Sequence, residues 1–156
     1  MKGILFAAVL VLCLSAGASE PKGEIFKKYE RVEGANTMSI SSALMCIAST
    51  DEGSSDMLNL SGISNRVSRL RAVSSELSDV IASINADAQS YIETCGAEQL
   101  TTINQSGAYM QLYTLNGEGE SIEEFIIIND DSDGVLSFMI IEGEFTREDI
   151  STLFSD

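Results

Sequence analysis

The chain has 156 residues, with 24 acidic side chains against 9 basic ones, for a net charge of -15, and it contains no histidine and no tryptophan. Without histidine there is no Ser-His-Asp or Cys-His catalysis, no histidine zinc site and no near-neutral proton shuttle. The negative charge disfavours phosphate backbones and anionic lipid surfaces, which excludes nucleic acid as the expected partner.

The chain opens with Met1-Lys2-Gly3, an apolar run from Ile4 to Leu14, and the small residues Ser15-Ala16-Gly17-Ala18. A charged start, a short apolar stretch and a small-x-small close form a cleavable secretion signal, and the run is too short to span a bilayer. Residues 1–18 are therefore read as a signal peptide, and 19–156 as one exported α+β domain, periplasmic or extracellular. Cys13 is preceded by Val11 and Leu12 and not by small residues, which argues against a lipid anchor there. No later apolar run is long enough to cross a membrane.

Charge is unevenly spread. From Ser19 to Arg71 seven acids balance seven bases, whereas from Ala72 to Asp156 seventeen acids face only Arg147. Solubility alone accounts for such a surface, and a cationic partner or a divalent metal also fits it.

Glu24 to Val32 puts Ile25, Phe26, Tyr29 and Val32 on one helical stripe, with Gly34 as a stop. Asn36 to Ser42 has the pattern of a strand, and Ser42 to Ser49 carries apolar residues at helical spacing. Thr50 to Gly62 is rich in Gly, Ser and acids and is predicted to be a loop. Ser68 to Ser74 alternates as a half-buried strand bearing Arg69 and Arg71. A long helix near 76–95 follows, with Ser75 as its cap, Leu77, Val80, Ile81, Ile84, Ala88, Tyr91 and Cys95 along its apolar stripe, and Gly96 as its stop.

Beyond Glu98 the period becomes strand-like. Gln99–Gln105, Ala108–Leu115, Ser121–Ile128 and Val135–Glu142 are separated by turn sequences and predict a four-stranded antiparallel meander within a sheet of about five to six strands. Apolar residues on both faces of the last strand place it in the sheet's interior. Thr146-Arg147-Glu148-Asp149 reads as a capping box for a short closing helix bearing Ile150, Leu153 and Phe154, with Phe145 entering the core.

Few constellations carry chemistry. Cys46 and Cys95 are the cysteines left after processing, and in an oxidising compartment they are the possible disulfide. Free, buried thiols are the alternative. The turn from Asn129 to Gly134 places Asn129, Asp131 and Asp133 at the first, third and fifth positions of a calcium loop, but its twelfth position is Ile140 where a glutamate is needed. An acidic hairpin ending in Asp-Gly explains the same residues, so no cofactor is expected, with calcium as the alternative. Glu118, Glu120, Glu123, Glu124, Asp130, Asp131 and Asp133 fall at turns and strand ends and are read as a solvated face.

EIFKKYERVEGANTMSIS, SRLRAVSSE and FMIIEGEFTREDISTL resemble the Bacteroidetes secreted proteins catalogued as domain of unknown function 4252. The resemblance implies an envelope address and an α+β domain, and it brings no catalytic motif. The expected function is a non-enzymatic binding domain with an envelope protein partner. The alternative is a hydrolase using carboxylates alone or with a divalent metal.

Overall fold

A computed structural model of the chain describes residues 21–43 and 61–153. The segment read as a signal peptide with Cys13, all but the first two residues of the helix expected over Ser42–Ser49 together with Cys46, most of the Thr50–Gly62 loop, and Phe154 lie outside the described residues. The fold is α+β: six strands form one antiparallel sheet in the order β1-β2-β6-β5-β4-β3.

Helix α1 spans Pro21–Tyr29 and starts earlier than its apolar stripe suggests. Proline is well suited to a first helical turn, because the N–H it lacks would have no partner there. Strand β1 (Asn36–Ser41) pairs with β2 (Val67–Ser75) and, among the described residues, with no other strand; β2 is preceded by a 3-10 turn over Ser61–Arg66 that was not predicted. The long helix α2 covers Ser78–Cys95 and ends at Gly96, whose left-handed backbone (φ 71°) lets its N–H reach the Ile92 carbonyl. Leu77, and not Ser75, is its N-cap residue. Ser75 is instead the buried end of β2: its hydroxyl donates to the Gly34 carbonyl at 2.7 Å and accepts the Leu77 N–H at 3.1 Å.

The meander follows as β3 (Glu98–Gln105), β4 (Ala108–Asn116), β5 (Ile122–Asp130) and β6 (Leu136–Phe145). Its first hairpin turns on Ser106 and Gly107, both at positive φ, the backbone of a tight two-residue turn. Helix α3 (Arg147–Leu153) closes the described chain.

Both faces of the sheet are covered. On one, α1 and α2 lay Phe26, Tyr29, Ile84, Ala88 and Tyr91 over Val73, Ile126, Phe138 and Ile140. Phe26 stacks on Phe138 with ring centroids 5.5 Å apart, and Tyr91 meets the same ring edge-on at 6.5 Å. On the other, Ile63 of the 3-10 turn and Leu153 of α3 pack with Leu70, Met110, Leu112, Phe125, Ile141 and Phe145. Strand β2, expected to be half-buried, is therefore covered on both sides: Leu70 faces one core, and Val73 with the largely buried Arg71 faces the other.

Asp149 completes the expected capping box by accepting the Thr146 N–H at 2.7 Å. The same carboxylate accepts from Arg66 at 2.9 Å, which ties α3 to the 3-10 turn.

Gly143 is where the sheet can bear no side chain. A Cβ there would run into the Arg66 carbonyl oxygen and lie 2.6 Å from the Phe145 ring. The register of β2 on β6 slips beside it, between Val67 and Arg69, and that of β5 on β6 slips between Ile122 and Glu124. Gly143→Ala should cost about 1–3 kcal/mol by overpacking, seen as a lower urea midpoint with an unchanged slope.

Candidate functional site

The regular register of β5 on β6, which holds from Glu124 to Asp130, sets Glu124 directly opposite Glu142, and the register slips only beyond this pair, toward Ile122. Glu124 is in phase with Ile126 and Ile128, and Glu142 with Phe138 and Ile140, so both carboxylates stand on the helix-covered face at the end of its apolar core. Like charges placed opposite one another in a sheet repel. Lys22, in the first turn of α1, offsets this repulsion: its ammonium lies 2.6 Å from Glu124 Oε1 and 2.8 Å from Glu142 Oε1. Tyr91 of α2 donates its hydroxyl to Glu124 Oε2 at 2.6 Å, and Arg71 Nη1 lies 3.6 Å from Glu142 Oε2.

The cluster is largely dry, with side-chain exposures of 5% for Glu124, 14% for Glu142 and 18% for Lys22. Burial by itself pulls the Lys22 pKa down, but hydrogen bonds and attraction from the two glutamates outweigh it and hold the ammonium above its ordinary value. Burial, reinforced by the hydrogen bond to Glu124, pushes the Tyr91 phenol well up, so it remains a donor across the physiological range.

An open groove of about 850 Å³ runs along this end of the sheet, walled by Lys22, Arg66, Glu123, Glu124, Glu142 and Glu144 among others. Four glutamates there face two bases. Arg66 is bound to Asp149, and Lys22 to the inner glutamates. Glu123 and Glu144 are exposed at the rim and have no ion pair among the described residues. The arrangement gives a fixed negative wall whose inner pair is held by Lys22 and whose outer pair faces solvent.

The sequence placed Glu124 among solvated acids, and the structure corrects this: at 4% exposure it is one of the most buried polar residues. Its phase with Ile126 and Ile128 was the available signal. Nothing local to the sequence pointed to Lys22, Tyr91 or Glu142 as its neighbours.

The other sequence candidates lie elsewhere. Asp131 Oδ1 accepts the N–H groups of Asp133 and Val135, each at 2.9 Å, and so organises the hairpin turn that the Asp-Gly ending suggested. Asn129 Oδ1 is buried without a hydrogen-bond partner among the described residues, while Asp133 is exposed. No group of three or more acids or thiols placed to hold a metal occurs among the described residues. Cys95 sits in the last turn of α2 with its thiol 3.6 Å from the Ile92 carbonyl, and burial raises its pKa, which keeps the thiol protonated and slow to react. Its possible partner Cys46 is outside the described residues. Among the described residues no helix is long and apolar enough to cross a membrane.

Residues 29–153 match the family model described as a domain of unknown function, DUF4252, and the chain belongs to that family. Comparison with curated proteins and with solved structures found no match in either.

Proposed function

We propose, from membership of a family with no assigned activity and from the geometry of the groove, that this is an exported, non-catalytic binding domain. In this reading the groove beside Lys22, Glu124 and Glu142 receives a cationic segment of an envelope protein. The observation that carries it is the pair of exposed carboxylates, Glu123 and Glu144, lining the same groove as two buried ones whose charge is already held by Lys22. An incoming lysine or arginine therefore meets unpaired negative charge without disturbing the inner cluster, and complementary charge of this kind speeds encounter and selects the partner.

A hydrolase would need a carboxylate with room to meet substrate and exchange a proton. The best-placed pair, Glu124 and Glu142, is instead engaged with Lys22, Tyr91 and Arg71. The binding reading is tested by calorimetric titration of the purified protein with an oligolysine peptide. Binding should be detectable at low ionic strength and weaken steeply with salt, because exposed charges are screened. Glu123→Gln combined with Glu144→Gln should weaken it about tenfold at low salt, corresponding to about 1.4 kcal/mol. A flat trace for the parent protein at low salt, or equal affinity in the double variant, overturns the groove as the site.

A further inference from the structure

Strand β3 forms one edge of the sheet, and among the described residues nothing pairs with its outer side. An open edge offers a row of unpaired backbone N–H and C=O groups, which proteins commonly blunt with charges, proline or a covering segment. Among the described residues, the devices here are the exposed Glu98 at the start of the strand and the bulge between Gln99 and Thr101. From Gln99 to Gly117, spanning both strands of the edge hairpin, there is no charged residue and no proline, in a chain whose net charge is -15. Leu100, on this edge, is 41% exposed.

A partner of opposite charge would find no acidic residue on the strand between Gln99 and Gln105. A second copy of this chain finds there an uncharged stretch where two strongly acidic molecules approach with little local repulsion. From this we infer that β3 pairs antiparallel with β3 of a second copy about a two-fold axis, joining two six-stranded sheets into one. The same patch serves both molecules, as a two-fold interface requires.

The faces are compatible with this joining. Thr101 and Ile103 lie across from Leu112 and Met110, on the face of the core that contains Phe125 and Ile141. Thr102 and Asn104 lie across from Gln111 and Tyr109, on the opposite face. An axis perpendicular to the sheet keeps each set on the same side in both copies, so Ile103, half-exposed in one molecule, gains cover from the neighbouring strand. Like charge elsewhere on the two molecules opposes the contact, and salt screens that opposition. Association is therefore weak, rises with concentration and is strengthened by salt, the reverse of the salt response expected for the groove.

Sedimentation equilibrium of the purified protein over a range of concentrations and salt tests this. The expected result is a shift from one to two chain masses as concentration and salt rise. The double variant Thr102→Glu with Asn104→Glu, and the corresponding double lysine variant, each place like charges opposite themselves and should remain monomeric. Mixing the two should restore the dimer, and that rescue requires both variants to be folded. The inference is overturned by a parent protein that stays monomeric under all conditions, by variants that dimerise as the parent does, or by folded variants (checked by circular dichroism) that stay monomeric on mixing.

Discussion

Glu124→Ala should lower stability by about 3–5 kcal/mol, measured as the shift in urea unfolding followed by circular dichroism. The cost arises mainly from what the substitution leaves behind. Lys22 and Tyr91 both direct hydrogen atoms at Glu124, and both are substantially buried. Removing the carboxylate strands a phenolic O–H and part of an ammonium away from water, and an unsatisfied buried group costs more than a satisfied one contributes. Glu124→Gln keeps an acceptor for one of these donors and should cost less than the alanine variant. The groove's inner wall would then retain its shape while losing one charge. A loss below about 1 kcal/mol for Glu124→Ala would mean that solvent readily enters the cluster, contrary to the geometry described.

The second large effect is alkaline. Tyr29 and Tyr91 are 1% and 8% exposed, and burial, with the hydrogen bonds to Asp87 and Glu124 next in weight, pushes both phenols well above their ordinary value. Folded-state values above the unfolded ones mean that their contribution is fully present below about pH 10 and is lost as pH rises beyond it, because the unfolded chain releases protons that the folded chain retains. Each tyrosine then lowers stability by about 1.4 kcal/mol per pH unit, and the two act together. Lys22, whose pKa is also raised, adds a loss of the same sign only above its ordinary value of 10.5. Cys95, raised by burial from an ordinary value of 9.0, adds a loss of the same sign from about pH 9, and Tyr113, also raised by burial, adds one from about pH 10. Urea unfolding at successive pH values should show a loss that begins near pH 9 and becomes steep above about pH 10. Tyr29→Phe combined with Tyr91→Phe should flatten that fall. If the slope were the same in the double variant, other groups would carry the alkaline sensitivity.

The periodicity of the sequence carried most of the fold. Strands β3 to β6, their turns, the long helix with its Gly96 stop and the final capped helix were all legible, because each rests on residues adjacent in the chain. The interior position of β6 was legible too, since its apolar residues occupy both faces. Three readings failed where a distant neighbour decided the outcome. Ser75 has the chemistry of a helix cap, but β2 runs on to bury it beside Gly34. Strand β2 has an alternating pattern, yet its position between β1 and β6 covers both faces. Glu124 lies among solvated acids in the chain but faces a core in space.

By itself the sequence determined the acidic balance, the absence of histidine chemistry, the α+β order of elements and the family resemblance, all properties of composition or of nearest neighbours. The candidate site was decided only by the tertiary structure. Lys22, Arg71, Tyr91, Glu124 and Glu142 come from α1, β2, α2, β5 and β6, and no spacing along the chain joins them. They meet because the register of β5 on β6 sets two glutamates opposite each other and two helices lie across that face of the sheet. Buried like charges need a cation, and the fold supplies one from a segment 102 residues away in the chain.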